Sequence, residues 1–358
     1  MKKIAAIILL ITWHKSFAQL SFSSLGIKLT HSIHANPIQD QSMSSTCWSF
    51  ASTSFIESEW MRKTNQPVKL SEMFFARCSY INKIKQYLLQ KGKIFFTPGG
   101  QFHDVLKVIQ EYGILPEEVY NGYLHLNYYN HNQLDSDMIH IADKLLAEGK
   151  NRVGTQDLVM INQVLDTYIG KVPEAFLYQG KSYTALTFAK KFLHFNTSDY
   201  VEITSYIHHP MYQPYVLEDK YNWSFDKYYN VTVNDFDHIT SHALQLGYSV
   251  EWDGDVEEPG FKYENGIAYL PYEVIDFPKE RQVTYDNKST SLDHMMHIIG
   301  TATDKSNNRW FYVKNSWGST NGLGGYLYMR DDYFKIKTVA IIVNKNAIPM
   351  DIRKKLKL

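Results

Sequence analysis

The chain has 358 residues, 44% of them hydrophobic, enough for one large domain or two ordinary ones and too apolar for a disordered protein. Its 37 basic and 37 acidic side chains cancel without a long run of either sign, which excludes the broad basic face of a nucleic-acid binder. Aromatic content of 15%, with no internal repeat, excludes a coiled coil or a collagen-like array.

Lys2 and Lys3, the apolar run from Ile4 to Trp13, and Ser16-Phe17-Ala18 read as a secretory leader cleaved after Ala18. The run is too short to span a bilayer, and a buried N-terminal helix is the alternative. Loss of residues 1–18 removes three lysines and no acid, leaving 34 basic against 37 acidic groups. The expectation is a secreted or periplasmic protein that has no membrane association after cleavage.

Only Cys47 and Cys78 are present, too few for a disulfide scaffold. A single bridge between them is open on paper. The surroundings of Cys47 favour a free thiol, and Cys78, in Met73-Phe74-Phe75-Ala76-Arg77-Cys78, reads as a buried small hydrophobe.

Cys47, Phe50, Ala51, Ser54, Phe55, Ser58 and Met61 fall at helical spacing, which predicts a long helix buried on one side, with Cys47 in its first turn. A second helix is predicted from Phe102 to Tyr112, after Pro98-Gly99-Gly100 and stopped by Gly113. Residues 133–195 hold three helical stretches broken near Gly149 and Gly180, and Tyr200 to Ile207 is strand-like. A helix from Val233 to Leu246 precedes a strand, Tyr248 to Trp252. That strand enters the acidic stretch from Asp253 to Glu258, read as a solvated turn because its spacing fits no EF-hand loop.

The last third is β structure: His294 to Thr303, Trp310 to Lys314 and Gly325 to Arg330. The predicted class is α+β and two-lobed. A helical lobe (19–113), a mostly helical insertion (114–280), a β-rich lobe (281–349) and a tail (350–358) leave a cleft between the lobes.

A thiol is a strong nucleophile at neutral pH when a helix N-terminus or a nearby imidazolium stabilises its thiolate. Cys47 has the first locally, and His294 is the candidate for the second. A carboxamide or carboxylate can hold that imidazole in one tautomer by accepting its Nδ1 proton, and Asn315 is placed for this at the end of the next strand. His297 is a rival base, but residues three apart on a strand face opposite sides, so only one of the two histidines can address Cys47. His294 is preferred because it begins the apolar run. The two histidines lack the i, i+4 helical spacing of a zinc-peptidase pair, and neither a metal nor an organic cofactor is called for.

The order Cys, His, Asn resembles the papain-like cysteine peptidases, and local strings sharpen the likeness. Gln41-Ser42-Met43-Ser44-Ser45-Thr46-Cys47-Trp48 is similar to that family's nucleophile segment, Leu70-Ser71-Glu72 to the segment after its central helix, and Gly99-Gly100 to its ledge for the substrate backbone. Asp293-His294, Asn315-Ser316-Trp317-Gly318 and Gly325-Tyr326 follow in the family's order. The resemblance implies that Gln41 donates to the oxyanion together with the backbone N–H of Cys47. It also implies that Trp317 shields the His294 to Asn315 bond and that Gly99 and Gly100 admit a peptide as an added strand.

Ser44 stands where papain has a cysteine, and 247 positions separate Cys47 from His294, against roughly 130 to 150 in papain and the cathepsins. These departures, with Gly99-Gly100-Gln101, Arg281-Gln282 and the Val343-Asn344-Lys345 ending up to Pro349, resemble the bleomycin hydrolase and aminopeptidase C branch. Membership implies peptide substrates, a homo-oligomer, and a C-terminus lying in the cleft, where its carboxylate holds a substrate's free α-amino group. The nine residues from Met350 to Leu358 make a tail shorter than that branch's. An endopeptidase and a catalytically silent papain-like binding module are the competing readings.

Overall fold

Two chain segments that the sequence holds far apart meet along one buried helix. The computed structural model describes residues 22–124 and 127–358; the expected leader, residues 1–18, lies outside them. The helix Cys47–Thr64 is buried at every position from Trp48 to Glu59, on all sides and not on one as predicted. One side meets the helical lobe, with Phe55, Phe75, Val105 and Phe102 in a common core. The other side meets the sheet through polar bonds: Ser52 Oγ donates to Glu251 Oε1 at 2.7 Å, Lys314 Nζ donates to Ser54 Oγ at 2.8 Å, and Asn344 Nδ2 donates to Glu59 Oε2 at 2.8 Å. Serines and glutamates along this helix weaken its apolar stripe, which is why its periodicity understates its burial.

Ser71 caps the next helix, Glu72–Leu89, by accepting from Phe74 N at 3.0 Å. Phe102–Glu111 follows, with Asp104 accepting from Gln101 N at 2.9 Å, and ends at Gly113, whose φ is +95°. A Cβ there would lie 2.2 Å from the Ala185 backbone. Helices Asn132–Ala147 and Thr155–Ile169 pack on Glu72–Leu89 through Ile84, Leu134, Leu145 and Leu165. The predicted break near Gly180 is the turn of a two-stranded ribbon, Phe176–Tyr178 with Lys181–Tyr183.

The large sheet has eleven strands among the described residues. In chain order they are β1 Lys28–Ser32, β2 Tyr200–Thr204, β3 Pro214–Val216, β4 Lys227–Asn230, β5 Val250–Gly254, β6 Phe261–Lys262, β7 Ile267–Ala268, β8 His294–Thr303, β9 Arg309–Lys314, β10 Tyr326–Arg330 and β11 Thr338–Asn344. The spatial order is β3-β4-β2-β11-β5-β8-β9-β10-β7-β6, with β1 added beside the far half of β8. The insertion is therefore mostly helical only up to Tyr200; residues from 200 to 268 give six strands to the sheet of the second lobe and one long helix that covers it. Strand β11, Thr-Val-Ala-Ile-Ile-Val-Asn, is buried throughout and central, although its short apolar run carries no alternation to announce it. The helix Val233–Gln245, capped by Thr232, covers the sheet with Phe236 and Ile239 against Trp252, Ile298 and Ile341. Each such side chain contributes roughly 1.5–3 kcal/mol by leaving water.

Candidate active site

Cys47 opens its helix at the wall of a cleft of about 580 Å³ that divides the helical lobe from the sheet. Trp48, Gly99 and Gly100 line one wall, and Asp253, His294 and Met295 line the other. Both cysteines are free, and Cys78 is buried in the helical core as expected. Burial pushes the Cys47 thiol up to about 12; the backbone amides of Met295 and Trp48 pull the other way, and the charges of Asp253 and Asp293 add to the rise. Burial and the neighbouring acids thus work against the thiolate that the sequence suggested, and the two backbone amides work for it. The helix N-terminus alone does not offset the desolvation.

His294 begins β8, and its Nε2 lies 2.7 Å from Asn315 Oδ1. The same oxygen accepts from Ser316 N at 2.7 Å, so it is the acceptor in both contacts and Nε2 carries the proton. The sequence reading placed Nδ1 in this bond; the structure places Nε2 there and leaves Nδ1 as the free base. Trp317 covers the pair, its ring centroid 4.4 Å from that of His294, and is itself backed by Tyr263 at 4.9 Å. Burial lowers the imidazole to about 4, against the smaller upward effect of the Asn315 bond. His297 points away from the cleft, with Nδ1 2.9 Å from Ser54 Oγ and its ring against Phe55, as strand alternation requires.

Gln41 reaches the cleft with its amide oriented by Ser316: Ser316 Oγ donates to Gln41 Oε1 at 2.7 Å, and Gln41 N donates to Ser316 O at 2.8 Å. The Gln41 NH₂ group is thereby the end left to donate. Ser316 was missed as a site residue, although it stands inside the Asn315-Ser316-Trp317-Gly318 string.

The glycine ledge has a second reason for its glycines. A Cβ on Gly100 would lie 2.8 Å from the Trp48 ring, and one on Gly99 would lie 3.0 Å from Tyr221. Trp48 Nε1 donates to Pro98 O at 2.9 Å, while the buried Lys83 ammonium donates to Thr97 O at 2.6 Å and to Gly99 O. Tyr221 belongs to the insertion, and no local string betrays that it borders the cleft.

Two expectations need correcting here. The acidic stretch is not wholly a solvated turn: Glu257 is exposed, but Asp253, next to the end of β5, is 1% exposed, and Asp255 is buried with Ser291 N and Glu257 N as donors. Strand pairing with Met295 buries what the charge run alone presents as wet. The tail is not in the cleft either. Residues 350–356 form a helix whose Ile352 and Leu356 enter the core under the sheet, Leu358 packs on the same core, and Lys355 reaches Asp235 at 3.5 Å.

A family model described as the Peptidase C1-like family matches residues 19–358. The chain belongs to the Peptidase C1-like family. Among curated relatives, this C1-like protein is 25% identical over 294 residues to Aminopeptidase W of Lactobacillus delbrueckii subsp. lactis, covering 72% of the chain and 65% of that protein. It is 21% identical over 374 residues to Aminopeptidase C of Listeria innocua serovar 6a, covering 90% and 83%. With Bleomycin hydrolase of Gallus gallus it shares 20% over 375 residues, covering 88% and 82%. These relatives put it in the aminopeptidase C and bleomycin hydrolase branch. It spans about two thirds of the length of the Lactobacillus delbrueckii enzymes. The crystal structure of PepW from Lactobacillus rhamnosis hn001 superposes with a TM-score of 0.69 at 18% identity, over 92% of this chain and 84% of that one, so the fold is papain-like.

Proposed function

We propose that the protein is a cysteine peptidase acting as an aminopeptidase on peptides. The observation that carries this reading is the convergence of Cys47, the Asn315-held His294 and the Ser316-held Gln41 on one cleft. His294 Nδ1 takes the Cys47 proton as sulfur attacks the scissile carbonyl. The oxyanion receives the Gln41 amide and the Cys47 N–H, donors in place before reaction, each worth roughly 3 kcal/mol. The imidazolium, steadied by Asn315 and roofed by Trp317, passes its proton to the leaving amine. Nδ1 then takes a proton from water as its oxygen attacks the thioester, and returns that proton to the Cys47 sulfur as the C–S bond breaks and the acid product separates.

The names of the relatives support the amino-terminal restriction. Against it, and in favour of endopeptidase action, stands the placement of residues 350–358 on the sheet core, where they do not close the cleft. Cleavage of matched free and N-acetylated peptide amides decides: efficient cutting of the acetylated peptide rejects the aminopeptidase reading. Export behind residues 1–18 is part of the same proposal, tested by sequencing the N-terminus of secreted material.

A further inference from the structure

The cleft is lined by three carboxylates, Asp253, Glu257 and Asp293, and by no lysine or arginine among the described residues. Asp293 is already engaged, accepting from Val256 N at 2.9 Å and from Ser291 Oγ at 3.3 Å. Asp253 differs. It is 1% exposed, it lines the cleft, and its Oδ2 has no hydrogen-bond partner among the described residues.

Its direction follows from the strand. Val250 and Trp252 of β5 face the core under the sheet, whereas Glu251 bonds Ser52 on the Cys47 helix, so Asp253 shares the Glu251 face and looks toward that helix. It pairs in register with Met295, the residue after His294 whose backbone amide reaches the Cys47 sulfur. An unpaired buried carboxyl costs free energy unless something in the working protein satisfies it. The charges that raise its proton affinity beyond the effect of burial come from acids: Asp219, Glu251, Glu202 and Asp293.

We infer that Asp253 is the anchor for a substrate's ammonium group, paired with it as carboxylate to cation in the cleft beside Cys47. The site adds substrate selection to the proposed peptidase and rests on that reading for its biological use. The ammonium comes either from the free α-amino terminus or from a lysine side chain. As the cation docks, Asp253 gives up its proton to water and the pair replaces an unsatisfied neutral group.

The test is calorimetric titration of the full chain carrying Cys47→Ser, which binds without turnover. Four ligands are used: Ala-Phe-amide, N-acetyl-Ala-Phe-amide, N-acetyl-Lys-Phe-amide and N-acetyl-norleucine-Phe-amide. At least one ammonium-bearing ligand is expected to bind roughly tenfold tighter than its uncharged match, and Asp253→Asn in the same background should bring that ratio near one. A preference in the alanine pair alone identifies the α-amino group, and one in the lysine pair alone the side chain. Ratios near one with Asp253 present, no binding by any ligand, or a preference that survives Asp253→Asn would each overturn the inference. Asp253→Ser is the second neutralising variant if the first does not give a folded protein by circular dichroism. Wild-type protein that hydrolyses no peptide while the binding ratio holds would reject the peptidase reading and leave the ammonium site standing.

Discussion

Ser316 Oγ donates a hydrogen bond to Gln41 Oε1 at 2.7 Å, which decides which end of the Gln41 amide faces the reacting carbonyl. Gln41→Ala should lower kcat about 100-fold, the usual effect of losing an oxyanion donor. Ser316→Ala should lower kcat about tenfold with KM nearly constant, because the donor remains but is no longer held. Steady-state kinetics beside thermal unfolding curves check both; a Ser316→Ala enzyme within twofold of wild-type kcat removes the hydroxyl from the mechanism.

The ionisation of the free site sets a pH profile. With His294 held down to about 4 and the Cys47 thiol pushed up to about 12, kcat/KM should rise through pH 4 and stay level to pH 8. The Asn315 bond favours the charged imidazole, so Asn315→Ala should move the acid limb to lower pH while reducing the plateau. An acid limb near pH 6 to 7 in the wild type contradicts this account.

His103 ties the helical lobe to the sheet, its Nδ1 2.9 Å from Glu202 Oε2. Burial disfavours its charge, yet Glu202, Asp104 and Asp226 outweigh burial and raise it to about 9. Since this exceeds the unfolded value near 6.5, the stabilisation is complete below about pH 6.5 and is lost as pH rises through 9, in all about 3 kcal/mol. Urea unfolding at pH 6 and pH 9.5 should show that loss in the wild type and little of it in His103→Gln.

Gly100→Ala should cost about 1–3 kcal/mol, because the added methyl meets the ring of Trp48, itself fixed by its bond to Pro98 O. Gly99→Ala meets Tyr221 at a slightly longer distance and should cost less. Chemical denaturation orders the two variants, and equal stabilities would show that Trp48 yields without penalty.

Free thiols of unequal reach predict one alkylation site. Iodoacetamide, applied at pH 9 to raise the thiolate fraction, should modify Cys47 in the folded protein and spare Cys78, which is 3% exposed in the helical core. Peptide mapping before and after unfolding reads the outcome, and labelling of Cys78 in the native state would contradict the packing.

Cys47, His294, Asn315 and Gln41 were legible because each sits in a short string whose chemistry is local, and the three strands beginning near His294, Trp310 and Gly325 have clear turns around them. What the sequence hid depends on contacts between distant segments. Whether Nδ1 or Nε2 of His294 meets Asn315 is a matter of side-chain rotation that no spacing records. Asp253 looks solvated in a run of acids, and only pairing with Met295 dries it. Tyr221 and β11 owe their positions to tertiary neighbours, and Ser52, Ser54 and Glu59 disguise a fully enclosed helix as a partly exposed one.

That enclosed helix joins the two halves into one cooperative unit. Prising the sheet away from it would break the Asn344–Glu59 and Ser52–Glu251 bonds and wet the core that Phe55 shares with Met295 and Ile342, so the two halves should melt together. Heat inactivation and loss of ellipticity should follow a single shared curve, and a protease should find no long-lived half-molecule to trim.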